Sequence, residues 1–324
     1  MHYDLLIVGA GPAGLACAIE AGKRGVAYAL VDKGCLVDAI YRFPADMTFF
    51  STPDLLSVGD LIFVSDRFRP NRIEALNYYR AVADHYKLAI RSYERVTSIV
   101  GAKGAFAVTT RRACGVVESH TAARVVVATG FYDQPNRMNI PGEDLPKVSH
   151  YYAEGHPYRG CDVAIVGGKN SAVEAALTFQ RAGARVTMIH RGPTLSSSVK
   201  YWVRPDIEKR IASGAIAARF DSRLTAVEPE AVVVENVATG AVSTLKNDFV
   251  FALTGYRPDT KLLADAGVIV DGATLAPTYD PATMQTNVPG LYVAGSVAAG
   301  IDNNKIFIEN SRGHGRLILD AVGA

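Results

Sequence analysis

The chain has 324 residues, which is enough for two domains that each bury a core. Hydrophobic residues make up 49% and charged residues 20%, and the formal net charge is +2. No block of like charge is longer than the pair Arg111 and Arg112. This balance argues against a nucleic acid or an anionic membrane as the main partner.

The first 22 residues are apolar, but Asp4 and several glycines interrupt them, so a strand, a turn and a helix explain them better than a signal peptide or a membrane span. We therefore expect a soluble, cytoplasmic protein. The four cysteines have neither metal-ligand nor Cys-x-x-Cys spacing, which predicts no metal site and suits thiols in a reducing compartment. They are Cys17, Cys35, Cys114 and Cys161.

A glycine turn opens the chain. Residues 3–8 (YDLLIV) predict a strand, residues 9–14 (GAGPAG) a turn, and the following LACAIEAGKRG a helix. In such a turn Gly9 permits a tight bend, Gly11 lets a pyrophosphate approach the backbone, and Gly14 lets the helix pack closely on the strand. Pro12 and Ala13 complete the predicted phosphate-binding segment.

A second strand, AYALVD, ends in Asp32, 18 residues after Gly14. A carboxylate at this distance can accept hydrogen bonds from a ribose diol, and we assign the adjacent Lys33 to the same site. Residues 94–127 then alternate as in a three-stranded meander. The last of these strands ends in Thr129 and Gly130, where small residues would allow close approach to the bound nucleotide.

The glycine turn is repeated in CDVAIVGGKNSAVEAAL. Gly167 and Gly168 keep the start of the turn and Ala172 its small closing residue, while Lys169 occupies the position of close approach and is expected to contact a pyrophosphate. Asn170 and Ser171 can cap the following helix through their side-chain oxygens or bind the phosphates.

The strand after this second helix ends in His190 and Arg191, at the spacing where the first unit has its acid. Arg191 can grip a 2′-phosphate through its planar guanidinium, which predicts a preference for NADPH. Lys200 and Arg204 could add to that pocket, although a solvated helical face suits each better.

Downstream, DFVFALTGYRP repeats the strand with a terminal glycine, and PGLYVAG follows. This order resembles that of flavoproteins with two dinucleotide-binding domains. The resemblance implies an α/β fold of two three-layer Rossmann-like domains, each with a parallel sheet and a β-meander. The FAD domain would be discontinuous, residues 1–133 and 256–324, around an NADPH domain of residues 134–255.

The same resemblance assigns roles near the C-terminus. Gly295 would end the last strand of the FAD domain, and Ser296 would bind the ribityl chain of FAD. A helix starting near Lys305 and Ile306 would direct its N-terminus at the pyrimidine edge of the flavin, where positive potential stabilises the reduced anion.

Three segments, GGKNSAVEAAL, SVKYWVRPDIE and IFIEN, resemble the YpdA-type branch of the low-molecular-weight thioredoxin reductases, the bacillithiol-disulfide or bacilliredoxin reductases. The resemblance implies an NADPH-dependent FAD oxidoreductase that reduces a low-molecular-weight disulfide or a small redoxin, and we expect a homodimer. The dithiol of thioredoxin reductases is replaced by Tyr-Tyr-Ala-Glu at 151–154, and Ala13 stands where the branch has a cysteine.

Two cysteines are candidates for a redox thiol. Cys17 lies one helical turn after Ala13, although a packing role suits it better, and Cys35 follows Asp32 in a loop. Two other functions stay open. A ferredoxin or flavodoxin reductase of the thioredoxin reductase type usually has a C-terminal aromatic residue over the flavin, whereas this chain ends in RLILDAVGA. A flavoprotein could also sense NADPH with little turnover.

Overall fold

The computed structural model describes residues 1–302 and 305–323 and forms two compact units. Unit 1 comprises residues 1–43, residues 47–134 and the chain from Tyr256 onward, and unit 2 comprises residues 44–46 and 135–255. Within the described part of the chain, no helix is long and apolar enough to cross a membrane.

Most of unit 1 precedes unit 2 in the chain. Its elements up to residue 135 are β1 (His2–Val8), α1 (Pro12–Lys23), β2 (Tyr28–Val31), α2 (Asp38–Tyr41), α3 (Pro53–Leu56), α4 (Arg72–His85), β3 (Ile90–Arg91), β4 (Glu94–Val100), β5 (Phe106–Arg112), β6 (Val117–Val127) and β7 (Gln134–Pro135).

Unit 2 contains β8 (Val148–Ser149), β9 (Asp162–Val166), α5 (Asn170–Arg181), β10 (Arg185–Ile189), α6 (Arg204–Ala212), β11 (Ala217–Arg219), β12 (Ser222–Val227), β13 (Ala231–Asn236), β14 (Val242–Lys246) and β15 (Phe249–Ala252). The chain then returns to unit 1 with β16 (Tyr256–Arg257), α7 (Lys261–Asp265), β17 (Leu291–Val293), α8 (Ile308–Ser311) and α9 (His314–Val322).

The sheet of unit 1 has the order β3-β2-β1-β6-β5-β4, with β17 also paired to β6. Strands β3, β2, β1, β6 and β17 are parallel, whereas β4, β5 and β6 form an antiparallel meander. Leu5, Leu6 and Ile7 are all buried, which shows that both faces of β1 are covered. The predicted meander is therefore confirmed, and β6 joins it to the parallel part of the sheet.

Unit 2 repeats this plan with three layers. Its parallel sheet has the order β11-β10-β9-β15-β8. One core cluster joins this sheet to α5 through residues such as Ile165, Val173 and Phe251, and a second joins it to the antiparallel β12-β13-β14 meander through Ile189, Val232 and Val250. The predicted α/β fold of two Rossmann-like domains is confirmed.

The helix expected to start near Lys305 and Ile306 begins later in the structure. Helix α8 begins at Ile308 and has four residues. The Asn310 side chain donates to Lys305 O (2.7 Å) and accepts from Phe307 N (2.8 Å), which folds residues 305–307 as a turn ahead of the helix. The expected flavin contact depends on a helix macrodipole, and a helix of one turn has too few aligned peptide dipoles to produce it.

Candidate cofactor sites

The first glycine turn is held by two close backbone approaches. Gly9 has φ +111°, and a Cβ there would lie 2.4 Å from Ala128 O. A Cβ on Gly14 would lie 1.8 Å from Gly9 O, so α1 packs against the turn more closely than any side chain allows. In contrast, nothing lies within 4 Å of a Cβ built on Gly11. The backbone at Gly11 therefore faces open space at the start of α1.

Asp32 ties the end of β2 to this turn. Its Oδ2 accepts from Ala10 N at 2.7 Å and its Oδ1 accepts from Gly34 N at 2.8 Å. Burial raises the pKa of the Asp32 carboxyl, and the two amide donors oppose that shift. The adjacent Lys33 is turned to another partner, because its Nζ lies 2.5 Å from Asp133 Oδ2.

The ends of β6 and β17 bring further predicted residues to the same edge. Gly130 has φ +76°, and a Cβ on it would lie 3.8 Å from Ser296 Oγ. A Cβ on Gly295 would lie 2.8 Å from Ala13 Cβ, which places Gly295 against the first glycine turn. Thr129 Oγ1 is buried and has no hydrogen-bond partner among the described residues.

These features fit a dinucleotide. Parallel α/β sheets bind ligands at the carboxyl ends of their strands, where β1, β6 and β17 all end here. The open backbone at Gly11 leaves room for a pyrophosphate, and the unpaired Thr129 hydroxyl needs a partner that the described chain does not supply. Lys305 and Ile306 precede α8 as a turn and do not form its N-terminus.

One residue at this edge was missed by the sequence reasoning. Gly295 N donates a hydrogen bond to His314 Nδ1 at 3.2 Å. His314 begins α9, 19 residues along the chain from its partner. The sequence Gly-His-Gly before an apolar helix carries no motif that reports this contact, so only the fold shows it.

The second glycine turn has the same bend. Gly167 has φ +142°, and a Cβ there would lie 2.6 Å from Leu253 O. A Cβ on Gly168 would lie 2.6 Å from ring atoms of His190, so this imidazole covers the turn. Burial, and then the charge of Arg191, lowers the pKa of His190. Its ring is therefore neutral at neutral pH.

Two cations border this turn without a counter-ion. Lys169 directly precedes α5 and is exposed, and Arg191 is exposed in the loop after β10. Neither forms an ion pair within the described part of the chain. Both are thus available to an anion at the carboxyl edge of the sheet.

The expected capping role of Asn170 is wrong. No side chain caps α5, and Asn170 is its first residue. The Asn170 Oδ1 atom accepts from Lys200 N (2.8 Å), and Nδ2 donates to Ser198 O (3.1 Å), so this side chain holds a neighbouring loop. Ser196 N also donates to Gly168 O at 2.9 Å. Ser171 is exposed and caps nothing.

The solvated-face interpretation is wrong for Lys200. Its side chain is 10% exposed, and Nζ lies 2.6 Å from Glu174 Oε1. Arg204 is likewise engaged, donating to Ser196 O at 2.5 Å and pairing with Glu208 at 2.8 Å. Arg204 therefore holds the loop of residues 196–200, which Asn170 anchors over the second turn, and Lys200 ties the end of that loop to α5.

Neither candidate cysteine has the surroundings of a reactive thiol. Cys17 is fully buried, and burial raises its pKa to about 12. Burial and the neighbouring Asp38 raise the pKa of Cys35, whose Sγ lies 3.8 Å from Asp38 Oδ1. All four cysteines are free thiols that form no disulfide. In the segment that replaces the dithiol, Tyr152 is buried and packs on Phe179, with ring centroids 5.6 Å apart.

The fold and the two glycine turns define a class of proteins with two Rossmann-like domains. Comparisons with known proteins identify the family within that class. The sequence profile of the pyridine nucleotide-disulphide oxidoreductases matches residues 6–295, so the chain belongs to that family of flavin-dependent oxidoreductases. The predicted enzyme class is thereby confirmed.

Its relatives are more specific. The chain is 42% identical to the bacilliredoxin reductase Bdr of Bacillus subtilis over 96% of this chain and 94% of that protein. The bacillithiol disulfide reductase Bdr (YpdA) from Bacillus cereus matches with TM-score 0.96 and 42% identity over 99% of both chains. The enzyme from Staphylococcus aureus matches with TM-score 0.94 and 38% identity over 99% of this chain and 98% of that one. The predicted branch is confirmed: the chain is a homologue of these reductases.

Proposed function

We propose that this protein is an NADPH-dependent FAD oxidoreductase that delivers electrons from the flavin directly to a low-molecular-weight disulfide or a small redoxin. The observation that carries the proposal is the opposite charge at equivalent positions of its two glycine turns. The Asp32 carboxylate borders the first turn, and the Arg191 guanidinium, which forms no ion pair within the described residues, borders the second. Such a chain suits two different nucleotides.

Unit 1 would hold FAD, with residues 1–133 and 256–324 as its domain. Gly9, Gly11 and Gly14 would shape the phosphate turn, to which Pro12 and Ala13 belong, and Asp32 would bind the ribose. The Thr129 hydroxyl and the Gly295-Ser296 turn would contact the remainder of the cofactor. When bound, FAD accepts a hydride from NADPH and supplies two electrons to a disulfide, which takes up two protons as it becomes two thiols.

Unit 2 would hold NADPH, with residues 134–255 as its domain. Lys169 would contact the pyrophosphate, and Arg191 would bind the 2′-phosphate as a charge-assisted fork. The neutral His190 ring would cover the turn at Gly168 without adding charge. The Asn170-anchored loop would close one side of the pocket.

The acceptor is proposed from the relatives and from the thiols. The named relatives act on bacilliredoxin or bacillithiol disulfide. This chain has no dithiol at residues 151–154 and Ala13 in its first turn, while Cys17 and Cys35 are held as thiols. We therefore infer that the acceptor meets the flavin itself, and that the protein contributes position and electrostatics rather than a nucleophile.

Anaerobic titration tests this mechanism. We expect one NADPH equivalent to reduce one FAD completely, with no charge-transfer band, and Cys17→Ala and Cys35→Ser to turn over as the unchanged protein does. A second equivalent, or lost turnover in a folded cysteine variant, would show that a thiol takes part.

Steady-state NADPH consumption against several acceptors tests the substrate class. Oxidised bacillithiol and a bacilliredoxin in its mixed disulfide are expected to be the best acceptors. Faster turnover with ferredoxin or flavodoxin would instead identify an electron-transfer reductase. Reduction of the flavin with no turnover on any acceptor would identify an NADPH-binding sensor.

We also propose a cytoplasmic homodimer. Three large apolar side chains of one unit 1 segment are strongly exposed: Ile62 at 74%, Val64 at 84% and Phe68 at 72%. A cluster of this kind is typical of an interaction surface. Analytical ultracentrifugation of the holoprotein, with Val64→Lys as the variant, tests whether this segment forms the contact.

A further inference from the structure

The imidazole of His314 contacts the backbone that ends β17. Gly295 has φ +75°, and its N–H donates to His314 Nδ1 at 3.2 Å. Because Nδ1 accepts this bond, the ring proton resides on Nε2. Protonation would place a hydrogen on Nδ1. This atom could then no longer accept the bond, and it would oppose the Gly295 N–H as a second donor.

Two features keep the ring in this state and in this place. Burial lowers the pKa of His314, so the ring is neutral at neutral pH. The next residue, Gly315, seats α9 on α1, since a Cβ there would lie 2.8 Å from Ala16 O and from backbone atoms of Cys17. Helix α9 therefore contacts the helix that begins at the first glycine turn.

The bond lies next to residues proposed to hold FAD. A Cβ on Gly295 would lie 2.8 Å from Ala13 Cβ, and one on Gly130 would lie 3.8 Å from Ser296 Oγ. The Gly295 N–H belongs to the Ala294-Gly295 peptide, so the acceptor that it meets fixes the plane of the peptide leading into the turn at Gly295 and Ser296. His314 supplies that acceptor.

We propose that His314 is a positioning residue for the flavin, which orients the Gly295-Ser296 turn through the Gly295 N–H. The inference rests on the proposed FAD site of unit 1. FAD affinity and the flavin midpoint potential would then depend on the acceptor at position 314, and not on imidazole as such.

Two substitutions separate positioning from packing. His314→Asn keeps an acceptor, because Oδ1 lies the same number of bonds from Cα as Nδ1, whereas His314→Ala removes it. Arg316→Ala, an exposed change on the same helix, is the matched control. The readouts are the dissociation constant of FAD from the reconstituted apoprotein, the flavin midpoint potential, and the thermal unfolding of each apoprotein.

We expect His314→Ala to weaken FAD binding about tenfold, as the loss of one oriented hydrogen bond would. His314→Asn should stay within about threefold of the unchanged protein, and its potential should match. Equal affinity in the Ala variant would overturn the inference, as would an Asn variant that folds and binds as poorly as Ala. Failure of the unchanged protein to bind FAD would overturn the proposed function instead.

Discussion

The two glycine turns share a scaffold and differ at their borders. Both start at a glycine with positive φ, +111° at Gly9 and +142° at Gly167, whose Cβ would meet the carbonyl oxygen of the residue just after a neighbouring strand. The parallel strands thus impose the same bend twice. What differs is the residue that closes each turn and the charge that follows the next strand, and these are the features that a nucleotide would contact.

Closure is tighter in the first turn. Gly14 brings α1 so near the strand that a methyl group would lie 1.8 Å from Gly9 O, whereas the second turn accepts the methyl of Ala172. Charge is reversed as well, with Asp32 hydrogen-bonded inside unit 1 and Arg191 exposed in unit 2. The comparison teaches that backbone packing sets the shape of the turn, whereas a few side chains set the charge beside it.

The largest effect should come from exchanging the closing residues. Gly14→Ala forces a methyl into a backbone oxygen that cannot move freely, so we expect a loss of about 3 kcal/mol or more in the free energy of unfolding. Ala172→Gly, the reverse change in unit 2, should cost about 1 kcal/mol. Urea unfolding of both apoproteins measures this difference. Equal losses would show that the first turn is not packed more closely.

A smaller effect should follow removal of the charge. Loss of one charge-assisted contact costs about 1.5 to 3 kcal/mol, so Arg191→Ala should weaken NADPH binding roughly ten- to a hundred-fold. NADH has no 2′-phosphate and should bind as before. Rapid-mixing kinetics of flavin reduction over a range of each nucleotide give both affinities, with the exposed Arg181→Ala as control. Parallel losses for the two nucleotides would contradict a 2′-phosphate contact.

The smallest effect concerns the ionisation of His190. Burial and Arg191 lower its pKa below 6.5, so the folded state binds this proton less readily than the unfolded state. Unit 2 should therefore lose a little stability as the pH falls from 6.5 through the lowered pKa. Arg191→Ala should bring the pKa back toward 6.5. Proton NMR of the imidazole resonances follows the titration, and an unchanged pKa would leave burial as its sole cause.

Local patterns in the sequence predicted much of this molecule. Strand, turn and helix follow from short-range spacing, so both glycine turns, the meander before Thr129 and the charges at Asp32 and Arg191 could be recognised from residues alone. The branch of the family was recognised from the resemblance of three short segments, GGKNSAVEAAL, SVKYWVRPDIE and IFIEN. A glycine turn is recognisable because its geometry depends on residues next to each other in the chain.

Contacts between distant residues required the tertiary structure. Asparagine is a common helix cap, but the Oδ1 atom of Asn170 accepts a hydrogen bond from Lys200 N because the loop folds over the turn. The sequence predicts a solvated surface lysine at Lys200, whereas the fold brings Glu174 beside it.

The sequence by itself determined where the two glycine turns lie and which charge borders each, because those properties depend on residues close together in the chain. Only the tertiary structure decided which thiols are buried and which side chain supports the end of β17. Cys17 is buried where α9 packs on α1, and His314 contacts Gly295 because the sheet brings the last strand against the first turn. Burial and long-range hydrogen bonds depend on packing between elements, and no local pattern encodes that packing.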